Sequence, residues 1–189
     1  MQLLDTALPD VKLIQLDVFS DERGAFAETY DSAKLATLGI RATFVHDSWS
    51  LSKKASTVRG FHFQVPPRAQ HKIVRVIRGR ILDLIVDIRR GSPSFGAHVA
   101  IELAADRPIS AFVPIGFAHA FCTLEDDTEV TYKMSDHFVP ELYRGLYWAD
   151  PALTIAWPVE QHAALLSVRD RNHPLLTDID TPFRFGSSD

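Results

Sequence analysis

The segment Arg59-Gly60-Phe61-His62-Phe63-Gln64-Val65-Pro66-Pro67-Arg68-Ala69-Gln70-His71-Lys72 brings a guanidinium, an imidazole and an ammonium into a short stretch of mostly apolar or turn-forming residues. Two cations beside one candidate base suit chemistry on an anion. Extended chains alternate their faces, which sends His62 and Gln64 one way and Phe61 and Phe63 the other. Val65-Pro66-Pro67 ends that strand. A second strand from Lys72 carries Lys72, Val74 and Val76 on one face, so a hairpin-like return would bring Lys72 back toward His62.

Other side chains extend this set. An imidazole titrates near neutrality and is the natural general base, although a histidine lining a barrel is often merely a satisfied core residue. His119 shares its strand face with Phe121 and Thr123, and for it the bland reading weighs at least as much. Tyr132 lies on the face of Val130 and Met134, inside or at the mouth of a barrel, where a tyrosine usually just bonds a neighbour but beside a base can serve as an acid. An inward Lys72 is the least bland, because buried lysines need a partner or a task. Asp170, in the tail, is surface charge unless it meets a histidine. Cys122 in Ala-Phe-Cys-Thr-Leu reads as a small buried hydrophobe, not a nucleophile. In jelly-roll metalloenzymes the ligands run His-x-His, then Glu, then a later His; here His62 is followed by Phe63-Gln64, and no metal site assembles from the spacings.

The elements that must position these groups are short and β-rich. Strands are expected over Val11 to Phe19, Ala25 to Tyr30, Ala42 to Trp49, Val99 to Leu103, Ala111 to Val113, Ala118 to Leu124 and Thr128 to Met134, with Gly, Pro and Asp turns between them. Gly79 divides Ile73 to Arg89 into two strands. In the second, Leu82, Leu84, Val86 and Ile88 alternate with Asp83, Ile85 and Asp87, a pattern that predicts a sheet with one wet side. Ser50 to Thr57 reads as a loop. Asp31-Ser32 caps one short helix closing at Gly39, with Leu35 and Leu38 inward. Leu142 to Trp148 is a further strand candidate, Ser167 to Pro174 a short helix, and Thr177 to Asp189 a frayed or partner-dependent tail. No alternation of strands with long helices occurs, so the pattern is that of a sandwich or barrel.

The 189 residues suit one domain with a sizeable core, and the formal charge of −4 argues against nucleic-acid or anionic-membrane binding, leaving any anion site local. One cysteine excludes an intrachain disulfide. The amino terminus lacks the pattern of a signal peptide and no stretch is suited to spanning a bilayer, so the expected compartment is the cytoplasm.

Seven ordered segments carry a resemblance: Asp21-Glu22-Arg23-Gly24, Arg59 to Gln64, Ala69 to Arg75, Asp87 to Pro93, Pro114 to Phe121, Tyr132-Lys133 and Trp148 to Leu153. In order and spacing they resemble the dTDP-4-dehydrorhamnose 3,5-epimerase family over nearly the whole chain, to about Leu176. The resemblance implies an all-β, cupin-type jelly-roll barrel with a few short helices, in one domain with an N-terminal arm and a short helical tail. It further implies a homodimer that needs no cofactor and inverts carbons 3 and 5 of a nucleotide-diphosphate 4-keto-6-deoxy sugar. Position by position, His62 is similar to the base, Asp170 to its orienting carboxylate, Lys72 to the group that stabilises the enolate and Tyr132 to the acid. Arg23, Glu28, Arg59 and His119 match nucleotide, diphosphate or sugar contacts, and Phe138 matches a stacking aromatic. Departures from the family pattern fall at His46-Asp47-Ser48, where Gln-Asp-Asn is usual, at Tyr143 in place of a glutamate, at His71 in place of a glycine and at Arg169 in place of a lysine. Ser48, Tyr143 and Arg169 thereby bear on the substrate more than on the chemistry. Within the family, a relative acting at carbon 3 only or on another nucleotide-sugar is the main alternative; a metal-dependent enzyme of the same fold and a non-catalytic sugar-nucleotide binding module are the competing readings outside it, and binding alone does not require an inward His, Lys and Tyr together.

Overall fold

Short alternating strands with one apolar face bury it best by stacking two sheets, and the computed structural model, which describes residues 1–186, has that arrangement. The first sheet takes β1 (Gln2–Asp5), β2 (Lys12–Gln15), β5 (His46–Ser52), β7 (Lys72–Arg78), β10 (Ile109–Val113) and β12 (Thr128–Met134), in the order β1-β2-β10-β7-β12-β5. The second takes β6 (Val58–Gln64), β8 (Arg80–Asp87), β9 (His98–Ala104), β11 (Phe117–Thr123) and β13 (Tyr143–Gly145), in the order β13-β6-β11-β8-β9. All their ladders are antiparallel. β3 (Val18–Asp21) and β4 (Gly24–Ala27) form a separate hairpin. The whole is a jelly-roll barrel.

Between the sheets lie Val74, Val76, Ile81, Ile85, Leu103, Val113, Phe117, Phe121 and Val130, which close the inner end of the barrel. The outer face of the second sheet is not wet. Leu84, Val86, Ile88, Phe61 and Phe63 pack there under Leu146, Leu153, Ile179 and Phe183 from the C-terminal third. Asp83 and Asp87 therefore face inward and are wholly buried, the reverse of the expected wet side; Asp87 is satisfied by Arg89, Ser92 and Ser94. The tail over 177–186 is likewise ordered against the sheet: Thr181 Oγ1 donates to the Ile88 carbonyl at 2.8 Å and Arg90 N to the Phe183 carbonyl at 2.9 Å. The rest of the expected tail, 187–189, lies outside the described residues.

Several boundaries shift for local reasons. β5 begins at His46 and runs through Ser52, because pairing with β12 from Met134↔His46 to Thr128↔Ser52 satisfies the backbone that composition alone marked as loop. α1 (Ser32–Thr37) is capped by Asp31, whose carboxylate accepts from Ala33 N and Lys34 N; it buries Leu35, while Leu38 is only half-buried. The expected C-terminal helix is a single 3₁₀ turn at Asp170–Asn172, ended before Pro174. β6 and β7 are not a hairpin: β6 pairs with β11 and β13, β7 with β10 and β12, so Lys72 meets His62 across the barrel.

Candidate active site

A bulge in β6 aims the central stretch. His62 pairs with His119 and Arg59 with Phe121, so three steps on β6 oppose two on β11. In a regular strand Arg59 and His62 would face opposite ways; the extra residue turns both inward. Gly60 makes this possible, since it has φ +126° and a Cβ there would sit 2.5 Å from the Ala120 Cβ.

Both residues line a cavity of about 700 Å³ between the sheets, with His119, Lys72, Tyr132, Ser48, Phe138, Tyr143, Arg169 and Asp170. Ten of the twelve residues singled out in the sequence are thus brought together. Arg23 and Glu28 are not: Arg23 pairs with Asp21 on the exposed hairpin, and Glu28 with Lys34 of α1.

On the wall formed by the second sheet, His62 Nε2 donates to Asp170 Oδ1 at 2.7 Å. Asp170 is carried there by the 3₁₀ turn, where Ser167 Oγ accepts from Asp170 N. Burial works against the carboxylate, yet the imidazoles of His173 and His62 outweigh it and hold Asp170 below the usual carboxylate range, so it is ionised. Burial lowers the pKa of His62, and Asp170 only partly opposes that shift. His62 therefore stands neutral near pH 7, with its proton on Nε2 and its basic lone pair on Nδ1. Deeper on the same wall, His119 Nε2 donates to buried Asp83 Oδ1 at 2.6 Å.

The opposite wall supplies Lys72 and Tyr132. Lys72 Nζ donates to the His62 carbonyl at 3.2 Å; desolvation pulls its pKa down to about 8, and Asp83 resists. Tyr132 OH lies 3.2 Å from Ser50 Oγ, and burial raises its pKa well above the ordinary phenol value, so it carries its proton. Arg59 is steered by Ser52 Oγ and the Leu51 carbonyl, which accept from its guanidinium at 3.2 and 3.1 Å. At the rim, Phe138 meets Tyr143 edge to face at 5.6 Å, and the Arg169 guanidinium lies 5.1 Å from the Tyr143 ring centre. Cys122 is buried with Val58, Trp148 and Ala164, its thiol pushed up to about 11 by desolvation, as expected of an inert hydrophobe.

Five further residues belong here. Asp83, read as solvent-facing, announced itself only as an acid inside an apolar run. Ser50 and Gln70 line the cavity without a distinctive pattern. His46 also lines it, its Nε2 3.3 Å from Ser48 Oγ. His173 stands three residues after Asp170. His62, Asp170 and His173 bring three donor atoms within 4.8 Å of one another, a convergence that no spacing in the sequence foretold.

A histidine–carboxylate pair on one wall and an ammonium and a protonated phenol on the other are the groups that acid–base chemistry requires, here on a jelly-roll scaffold. The family model described as dTDP-4-dehydrorhamnose 3,5-epimerase matches residues 5–178, and the chain belongs to that family, whose members are isomerases. Among its relatives, the dTDP-4-dehydrorhamnose 3,5-epimerase of Shigella flexneri is 39% identical over 95% of this chain and 98% of its own length. That of Neisseria gonorrhoeae is 44% identical over 90% of this chain, which spans about half (51%) of the longer relative. The solved structure of dTDP-6-deoxy-D-glucose-3,5-epimerase from Legionella pneumophila, in complex with dTDP-4-keto-L-rhamnose, superposes with a TM-score of 0.92 at 34% identity, covering 98% of this chain and 99% of that one. The jelly roll is accordingly of the cupin type.

Proposed function

We propose that this chain, folded as a single jelly-roll domain, converts dTDP-4-dehydro-6-deoxy-D-glucose to dTDP-4-dehydro-L-rhamnose without a cofactor, by inversion at carbons 3 and 5. The observation that carries the proposal is the placement of base and acid on facing sheets: His62 on β6 and Tyr132 on β12, with the cavity between them. Inversion needs a proton removed from one face of the sugar ring and returned to the other, and two facing sheets supply those two faces.

In this reading His62 Nδ1 takes the proton beside the C4 ketone, and Asp170 stabilises the resulting imidazolium. Electrons move from the broken C–H bond onto the ketone oxygen, where the Lys72 ammonium stabilises the enolate in a water-poor site. Tyr132 then protonates the carbon from the far side. His62 then releases its proton to solvent and Tyr132 regains one from it, and repetition at the second carbon completes the double inversion. Arg59 takes the diphosphate, His119 the sugar and Phe138 the nucleobase, with Ser48, Tyr143 and Arg169 adjusting sugar and nucleotide contacts.

Arg23 and Glu28 then act in a second copy of the chain. The hairpin that carries Arg23 holds Phe19 and Phe26 63% and 67% exposed, an apolar surface suited to a partner. In such a homodimer each cavity is completed by the other protomer's arm, and the single buried cysteine agrees with a reducing cytoplasm. Mixing inactive His62→Ala and Arg23→Ala chains should restore about one quarter of wild-type activity, since half of randomly mixed dimers hold one intact site in two; no recovery would sink the shared site.

Incubation with dTDP-4-dehydro-6-deoxy-D-glucose in heavy water, followed by NMR, tests the reaction. Deuterium should enter carbons 3 and 5. Exchange at one carbon only would assign a mono-epimerase, and a folded protein that exchanges neither would overturn the proposal for this substrate. Activity should also survive exhaustive chelation; loss that added metal restores would favour the metal-dependent alternative.

A further inference from the structure

Behind the base lies a second histidine that the epimerase reading does not use. His173 follows Asp170 by one turn, and its side chain is only 10% exposed. Its Nε2 is buried without a hydrogen bond among the described residues, and lies 3.6 Å from Asp170 Oδ1. That separation is too long for a hydrogen bond and short enough for strong charge interaction in a site with little water. The same oxygen accepts from His62 at 2.7 Å. Two imidazoles thus converge on one carboxylate oxygen.

The position is built rather than incidental. The His173 ring rests on Gly145, where any Cβ would collide with it, and Gly145 is the strand partner of His62 on β6. The His62 ring stands edge-on at 6.0 Å and the Tyr143 ring lies at 6.5 Å, so His173 packs beside both His62 and its strand neighbour. Facing His173 are Asp170 and Arg169 from the 3₁₀ turn, His62 from β6, Tyr143 and Arg144 from β13, and Asp180 from the C-terminal segment. Of these, only Asp170 stands within ion-pair distance of its imidazole.

We infer that His173 is a positioning residue for the base: neutral and with its proton on Nε2, it steadies Asp170 at 3.6 Å without taking it from His62, and the base works only while His173 is neutral. The inference rests on the epimerase reading of His62. A protonated His173 would draw Asp170 Oδ1 toward its own Nε2–H and set a positive charge beside His62. Both effects disfavour the imidazolium that proton abstraction must create, and the charge of His173 indeed acts to lower the pKa of His62. Inactivation by acid then takes two protons, one on each ring, in steps that belong to the pair.

The experiment compares deuterium exchange in the wild type, His173→Asn and His173→Gln from pH 5 to 8. In the wild type the logarithm of kcat should climb on the acid side with a slope approaching two; in the variants the slope should fall to about one. At neutral pH kcat should drop about tenfold with KM changed less than twofold, because the carboxylate is less firmly held while the substrate contacts remain. Equal acid limbs and equal kcat in wild type and variants overturn the inference alone, whereas a wild type that exchanges no deuterium at any pH overturns the epimerase reading beneath it. Should the variants misfold, ¹⁵N shifts of the wild-type rings decide: His173 protonating along the acid limb upholds the inference, and His173 remaining neutral throughout it overturns it.

Discussion

The molecule contains two histidine–aspartate pairs, and they differ in everything but chemistry. His62 and Asp170 meet across 108 residues at the cavity, with the imidazole 23% exposed. His119 and Asp83 sit on neighbouring strands, β11 and β8, with 5% and 0% exposure. In the first pair the carboxylate takes one ring nitrogen and leaves the other on an open cavity, the arrangement of a base that must cycle its proton. In the second the carboxylate is sealed in, and its Oδ2 finds no hydrogen bond among the described residues. That sealed charge helps keep Lys72 protonated against desolvation. A hydrogen-bonded His–Asp pair is thus no sign of a base until the exposure of its imidazole is known.

Removing the pair at the open cavity should do the most damage. His62→Ala and Asp170→Asn should each cut deuterium exchange by roughly 10³- to 10⁴-fold. Lys72→Ala should follow at about 10²- to 10³-fold in exchange, since the enolate loses its preorganised cation.

Asp83→Asn should cost less in rate, about 10-fold through Lys72 and His119, but should also destabilise the fold by about 1–3 kcal/mol in urea denaturation because it disturbs a sealed polar pair. A rate loss as large as that of Asp170→Asn would erase the distinction between the two pairs. Tyr132→Phe should slow turnover more than wash-in of deuterium, which separates the acid from the base; equal losses would argue against its role. The mildest perturbation is pH. The base must be neutral and the lysine charged, so the rate should rise as pH climbs through the lowered pKa of His62 and fall as pH passes about 8, where Lys72 loses its proton. A profile flat from pH 7 to 10 would remove Lys72 from the electrostatics.

Much of the fold is legible in the sequence. Alternation with Gly, Pro and Asp punctuation marked β12 at Thr128–Met134 to the residue and placed Lys72, Val74 and Val76 on one inward face. Those features depend on period-two geometry and turn chemistry, which act within a few residues. The same local rule misread β8, because alternation shows that two faces differ without showing what covers each. Leu146, Leu153, Ile179 and Phe183 arrive from the distant C-terminal third to dry the outer face, and Asp83 is thereby turned inward. Composition groups Arg59 with His62 and Lys72, and the resemblance adds its substrate contact, while its spacing from His62 puts it on the wrong side of a regular strand; the bulge at Gly60 reverses that.

By itself, then, the sequence determined the strand-rich architecture, the inward Lys72 and Tyr132, the inert Cys122 and the family pattern, all consequences of short-range periodicity or of ordered motifs. Tertiary structure decided which carboxylate each histidine meets and how far each pair is buried. Asp170 reaches His62 only because the tail folds back to lay a 3₁₀ turn behind β6, and Asp83 reaches His119 only because β8 and β11 pair in one register. Long-range packing sets whether each pair is open or sealed, and no spacing along the chain encodes the solvent it will meet.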